Sequence, residues 1–469
     1  MLLKLALKSY FDYDEFRPGQ REIIESLLSG HDTLGILPTG TGKSLCYQLA
    51  GYLTSGLVVV VSPLIALMED QVAALQARGE KRAIALTSQL TWEEKSYLLQ
   101  RLHQYKFLFV SPEMLQNPPV LAALQKQELA FMVVDEAHCL SQWGIDFRPE
   151  YRLLPECKKA LGNLPVLALT ATATAPVAKD IATQLLDADG VIHQFSADRP
   201  NIAYFVYQPA DKRAWLLEFL RQTEACGLIY CVTRSQVEAL YECLRGEFSV
   251  GYYHGGLESD QRKLLQQQFS TGKLQLMIAT NAFGMGINKG DLRFVIHYEL
   301  PDSPENYLQE SGRAGRDGEA AQAILLYQSG DEQIHRYFHQ KLLEERQGLE
   351  RLLTSPSKQS SAATPLQEKW LHLIKGESGS QLPQALANNE ANKEARLQAM
   401  LGYIHEPNCR RQYLLRYFDE EPPAAQEPCC DLHGATLVYP KGEQRVATLE
   451  EKGNWRDILL KLFKDDAGL

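Results

Sequence analysis

The chain has 469 residues, 45% of them hydrophobic and 23% charged, with a formal net charge of −10. That length suggests about two to four domains with real cores, and the acidic total excludes a bulk polyanion binder, so any nucleic-acid contact must come from local basic patches. The longest apolar run, "GLVVVVSPLIALM", is broken by Ser62 and Pro63 and falls short of the roughly 20 residues a membrane span needs.

The opening "MLLKLALKSYF" is interrupted by Lys4 and Lys8 and reads as an amphipathic helix rather than a signal peptide. Short apolar, β-branched runs then alternate with helical patterns: "TLGIL", "LVVVVS", "AIAL", "FLFVS", "FMVVDE", "VLALT". After residue 196 the pattern restarts with "IAYFVY", "GLIYC", "LQLMIAT", "RFVIHYE" and "AILLY". Strands alternating with helices predict parallel sheets covered on both faces, here as two α/β lobes in tandem, over residues 1–196 and 197–334. A charged helical segment is expected over 335–440, with a flexible insertion near 354–365 ("TSPSKQSSAATP"), then a short tail over 441–469. Only 36 residues follow His433, too few for another domain of the usual size. Six of the nine cysteines are scattered before residue 250 without paired spacing, which points to reduced thiols in a cytoplasmic protein; Cys409, Cys429 and Cys430 cluster late.

Two motifs carry phosphate chemistry. In "ILPTGTGKSLCYQ", Thr39, Gly40, Thr41 and Gly42 form a loop between a strand and a helix, and the glycines let backbone N–H groups point at phosphate. Lys43 is placed to reach the β and γ phosphates of ATP, and Ser44 to hold Mg²⁺. Leu37 stands where the strict loop pattern has Gly. At the end of "FMVVDEAH", Asp135 suits a Mg²⁺ partner acting through water and Glu136 the base that orients the attacking water.

With "FRPGQ", "PTGTGKSLCYQ", "DEAHCLSQWG", "LTATAT", "ATNAFGMGINK" and "QESGRAGRDG" in this order, the chain resembles the RecQ family of superfamily 2 DNA helicases, densely over residues 1–335 and more loosely over 390–433. The resemblance implies two RecA-like P-loop lobes followed by a zinc-binding helical segment. It implies an ATP-dependent helicase moving 3′ to 5′ on DNA, in repair and recombination. Tyr13 and Arg17 are then expected to sandwich adenine and Gln20 to read its edge, although plain packing suits Tyr13 nearly as well.

The same resemblance makes the stretch after "DEAH" a sensor of single strands. Trp143 and Phe147 can stack on bases, at about 1–3 kcal/mol per base, and Arg148 can meet phosphate. Tyr151 is divided between that role and the core. Ile145 replaces the His usual there, which removes a polar contact. The hydroxyls of Thr170–Thr174 can bridge the lobes, Thr280 is a candidate DNA phosphate donor, and Gly284 and Gly286 permit close backbone approach. Arg316 is the expected arginine finger, with Arg313 beside it either catalytic or holding Gln309 or Glu310. Cys409, Cys429, Cys430 and His433 are the expected Zn²⁺ ligands, with Glu427 where the family usually has another cysteine. The winged-helix module and the small C-terminal helical domain of longer members are expected to be lacking. The expected partner is single-stranded or forked DNA without sequence preference, and neither a membrane nor a particular protein partner is indicated. Two other activities fit the motifs: an ATPase translocase or annealing factor that unwinds poorly, and an RNA helicase of the DEAD-box kind.

Overall fold

Runs such as "LVVVV" and "FLFV" are apolar at every position, which suits strands covered on both faces. The computed structural model describes residues 2–141, 149–283, 289–354, 363–374, 382–421 and 428–441. Among these described residues the first sheet has seven strands: β1 (Thr33–Ile36), β2 (Leu57–Val61), β3 (Ala83–Leu86), β4 (Phe107–Val110), β5 (Leu129–Val134), β6 (Val166–Thr170) and β7 (Val191–Gln194), ordered β3-β4-β2-β5-β6-β1-β7. The second has six: β8 (Ile202–Tyr207), β9 (Gly227–Tyr230), β10 (Val250–Tyr253), β11 (Leu276–Ala279), β12 (Phe294–His297) and β13 (Ala321–Leu326), ordered β10-β11-β9-β12-β13-β8. The pairings in both are parallel.

Alternate side chains of one strand serve opposite cores, as a two-residue period requires. On β2, Leu57, Val59 and Val61 join Met132 and Val134, while Val58 and Val60 join Phe107 and Phe109. On β8, Ile202 and Tyr204 face one core and Phe205 the other. Ligand loops in such sheets leave the carboxyl ends of the strands. Here β1 runs into the loop Leu37–Gly42, β5 into Asp135 and Glu136, and β6 ends on Thr170. Because β5, β6 and β1 are neighbours, the three loops converge.

Helices Gln333–Thr354, Pro365–Ile374, Leu382–Ile404 and Arg410–Tyr417 follow the second sheet. Leu397, Met400, Tyr403 and Leu414 share one apolar cluster with Cys409, Cys429, Cys430 and the strands of that sheet. The cysteine loop also pairs with edge strand β8: Tyr204 N donates to Cys429 O at 3.3 Å and Asp431 N to Tyr204 O at 3.0 Å. An otherwise open sheet edge is thereby covered. Residues 355–362 of the expected insertion and 442–469 of the expected tail lie outside the described residues. Among the described residues no helix is long and apolar enough to cross a membrane.

Candidate nucleotide and metal sites

The phosphate loop is held from behind by side chains. Gly40 and Gly42 take φ of 89° and 80°, where a Cβ is strained. Gly42 caps the helix Lys43–Leu53, whose free N-terminal N–H groups favour an anion. Gln20 Nε2 donates to Thr41 O at 2.8 Å and Gly42 O at 3.2 Å, and Arg17 Nη1 donates to Gly40 O. Lys43 Nζ lies 3.3 Å from Leu37 O. Burial lowers the Lys43 pKa, opposed by Glu136 and Asp135.

Burial raises the Asp135 carboxyl to about 7, with the Glu136 charge adding to the rise and Lys43 opposing it. Glu136 adopts φ 50°, a costly conformation for a residue with a Cβ. Its Oε2 is buried and accepts no hydrogen bond among the described residues, while His138 Nδ1 stands 3.4 Å away. The Tyr151 hydroxyl donates to Asp135 O at 2.9 Å, and the ring is fully buried in the first lobe's core. Thr170 Oγ1 meets His138 Nδ1 at 3.0 Å and Thr172 O at 3.2 Å. Of the Thr170–Thr174 hydroxyls, which can bridge the lobes, that of Thr170 ties two loops of one lobe, because β6 ends beside the acidic loop.

The opposite wall comes from the second lobe. Gln309, Arg313 and Arg316 line the same cleft of about 520 Å³ as Thr39, Gly40, Thr41, Lys43, Ser44, Asp135 and Glu136. The lobes touch closely: a Cβ on Gly40 would fall 3.1 Å from Arg316 Cγ, and one on Gly312 3.2 Å from Thr39 Cβ. Arg313 Nε is buried without a hydrogen-bond partner among the described residues. Burial, then the like charge of Arg313, lowers the Arg316 pKa. Buried cations facing one another call for an anion between them. Glu310, one of the two residues that Arg313 could hold, lies 3.0 Å from His297 Nε2.

At the mouth, Tyr13, Asp14, Arg17 and Gln20 line the cleft. Tyr13 is half-exposed, its ring 6.5 Å from that of Phe11 at an interplanar angle of 15°. Both amide protons of Gln20 are taken by the loop carbonyls, and its Oε1 accepts from Arg17 N at 3.0 Å. In this state it grips the loop rather than offering a free edge. Thr280 is buried at the end of β11, its N–H bonded to Tyr253 O at 3.1 Å. Trp143, Ile145, Phe147, Arg148, Gly284, Gly286 and Glu427 lie outside the described residues.

The late cysteines converge as expected. Ligand atoms of Cys409, Cys429, Cys430 and His433 all lie within 4.8 Å of one another. Cys429 Sγ is 3.6 Å from Cys409 Sγ, 3.9 Å from Cys430 Sγ and 3.6 Å from His433 Nδ1. Tetrahedral Zn²⁺ with ligands at about 2.3 Å would set neighbouring sulfurs roughly 3.8 Å apart, so this donor set fits that ion. Cys409 caps the helix Arg410–Tyr417 rather than lying within it, its Sγ accepting from Gln412 N. Adjacent Cys429 and Cys430 both bring their sulfurs into the cluster, beside the bridge of Cys430 to Tyr204 on β8.

Side chains around this cluster reach both lobes, and several had no motif to announce them. Arg411 bonds Asp198, Arg199 O at 2.9 Å and Ile202 O. Asp419 Oδ2 accepts from Ala175 N at 2.8 Å, and Glu420 accepts from Ala197 N at 2.7 Å. These bonds tie the helical segment to the first lobe and to the chain joining the lobes.

Comparison with known proteins agrees with this arrangement. Residues 17–181 match the DEAD/DEAH box helicase model, 211–318 the helicase conserved C-terminal domain and 368–433 the RecQ zinc-binding model. The chain is 41% identical to the probable ATP-dependent DNA helicase RecS of Bacillus subtilis, with 98% of each chain covered. It is 38% identical to ATP-dependent DNA helicase RecQ of Synechocystis, over 92% of this chain and 97% of that one. Against RecQ of Pasteurella multocida it is 39% identical over 91% of this chain but only 61% of that one. Solved structures share the fold: Mycobacterium smegmatis helicase Lhr bound to single-stranded DNA and AMP-PNP (TM-score 0.59, 19% identity, 85% of this chain and 57% of that one), and the DEAD-box helicase Mss116 bound to single-stranded RNA (TM-score 0.60, 16% identity, 87% and 88%). With a nucleotide cleft between two RecA-like lobes, a clustered Cys₃His set and relatives alike over nearly their full length, the chain belongs to the RecQ family of ATP-dependent DNA helicases.

Proposed function

We propose that this helicase moves 3′ to 5′ along single-stranded DNA, unwinds the duplex ahead and serves DNA repair and recombination. One observation carries the mechanism: Lys43, Asp135 and Glu136 of one lobe share a cleft with Arg313 and Arg316 of the other. Neither lobe alone holds a full set of charges for ATP, so hydrolysis depends on closure.

Lys43 and the N–H groups of the loop hold the β and γ phosphates. Glu136 orients the attacking water and accepts its proton, a role left open by an Oε2 that accepts no hydrogen bond among the described residues. Arg316 meets charge developing on the transferring phosphoryl group, with Arg313 beside it. Ser44 and Asp135 would hold Mg²⁺, which would supply positive charge to neutralise the phosphates. Tyr13 and Arg17 flank the base. Trp143, Phe147 and Arg148 grip the strand by stacking and charge, with Thr280 serving the second lobe's DNA face, and neither mode reads sequence. Cys409, Cys429, Cys430 and His433 would hold Zn²⁺ in a structural role, since four N/S donors would leave no position for water.

The test uses forks with a 3′ or a 5′ single-stranded arm, a blunt duplex, and the same strands as RNA, with ATP hydrolysis measured beside strand separation. The 3′-armed DNA fork should be unwound fastest. Hydrolysis without separation would favour the translocase reading, and unwinding from the 5′ arm would overturn the direction.

A further inference from the structure

We propose that Arg199, outside the cleft on the chain joining the lobes, is a positioning residue that sets the phosphate loop and the arginine-bearing turn in one geometry. Its guanidinium bonds four carbonyls. Nη1 donates to Thr39 O at 3.0 Å and Gly312 O at 3.1 Å; Nη2 donates to Ala314 O at 3.1 Å and Gly315 O at 2.6 Å. Thr39 belongs to the first lobe's phosphate loop. The other three carbonyls bracket Arg313 and stop one residue before Arg316. Arg199 does not line the nucleotide cleft.

The planar fork of arginine suits this task. It presents five N–H donors in a fixed geometry, where a lysine ammonium is a point charge on a flexible stem. A trans peptide points its C=O and N–H in opposite directions. Holding Thr39 O from behind therefore turns the Gly40 N–H away from Arg199, and Gly40 lines the cleft. The same fork pins the turn from which Arg313 and Arg316 project. Asn201 Nδ2 reinforces it, donating to Gly315 O and Glu319 O, both at 2.8 Å. Arg199 is itself anchored, since Arg411 Nη1 donates to its carbonyl at 2.9 Å. One side chain thus measures the gap between the two halves of the site, and its four bonds form together only when that gap is closed.

This inference rests on Arg316 acting on the transferring phosphoryl group. The test is a double-mutant cycle on the full chain, read by single-turnover ATP hydrolysis with saturating single-stranded DNA. Nucleotide affinity and melting temperature are followed in each variant. Arg199→Ala and Arg199→Lys should each slow turnover about 10–100-fold, with ATP affinity changed far less than the rate and melting lowered by only a few degrees for the carbonyls left without a donor. Arg199→Ala added to Arg316→Ala should cost clearly less than the product of the two single losses, because the turn has lost its finger and only the hold on Thr39 O and on Arg313 remains to be lost. Multiplying losses, wild-type turnover in Arg199→Lys, or a fall in melting temperature matching the lost rate would each overturn the proposal. Near-normal turnover in Arg316→Ala would sink the finger assignment itself and this inference with it. That result is distinct from an active-finger enzyme in which Arg199 alone proves inert.

Discussion

His138 Nδ1 lies 3.0 Å from Thr170 Oγ1, joining the acidic loop after β5 to the end of β6. The Thr170 hydroxyl has one proton and gives it to Thr172 O, so His138 must donate from Nδ1. Burial lowers the His138 pKa, opposed by the Glu136 charge. The chain from Thr170 leads directly into the helix Ala175–Leu185, whose first N–H is held by Asp419. Thr170→Val keeps the shape and removes the acceptor. Loss of its two hydrogen bonds, each near about 1 kcal/mol, should lower DNA-stimulated turnover by about tenfold or more, with nucleotide affinity intact. Unchanged stimulation in a steady-state assay would show the contact to be passive.

Lys43→Ala should abolish turnover while strand binding persists, because Lys43 serves phosphate and lies away from DNA. Glu136→Gln should bind ATP and stall. Filter binding and hydrolysis on the same preparations separate these effects. Near-normal hydrolysis by Lys43→Ala would refute the phosphate assignment.

Purified, untagged protein should carry about one zinc per chain. Cys430→Ser should lose it and melt several degrees lower, since the cysteine loop also covers the β8 edge and shares the second lobe's core. Metal analysis beside a melting curve checks both. A metal-free chain of undiminished stability would mark the Cys₃His cluster as a relic.

Asp70 lines the nucleotide cleft and gives a pH signature. Burial, then the Glu69 charge, raises its pKa from 3.8 to about 6, with Lys263 opposing. The unfolded carboxyl ionises near 3.8, so the folded state holds a proton that the unfolded chain has lost between those values. Its contribution is therefore favourable at low pH and is lost as pH rises through about 6. Two units would be about 2.7 kcal/mol unscreened; Asp70 is partly open to water, so about 1 kcal/mol is expected. Asp70→Asn should raise the melting temperature at pH 8 and leave it nearly unchanged at pH 4. An equal gain at both would mean the carboxyl charge is irrelevant.

Much of the site was legible because its chemistry is local. A loop between strand and helix and an acidic pair at a strand end announce themselves by spacing, while the four late Cys and His residues follow from the family resemblance. What escaped the sequence was long-range or weakly patterned. β7 is an edge strand alternating between half-exposed and exposed side chains, and β10 contains Gly251, so neither reads as an apolar run. Arg199, Arg411, Asp419 and Glu420 act on main-chain groups up to 244 residues away, and main-chain acceptors leave no mark on composition. Gln20 was placed in the right cleft, but its grip on Thr41 O and Gly42 O depends on how closely the first turn of its helix meets the loop.

The central claim is that ATP is hydrolysed between the two lobes, with the first lobe binding the phosphates and the second completing the site. The most direct measurement is hydrolysis by Arg316→Ala at saturating single-stranded DNA, with nucleotide affinity determined beside it. Turnover should fall by about 10³ or more while affinity stays within about threefold. A variant that hydrolyses ATP within tenfold of the wild-type rate would contradict the account.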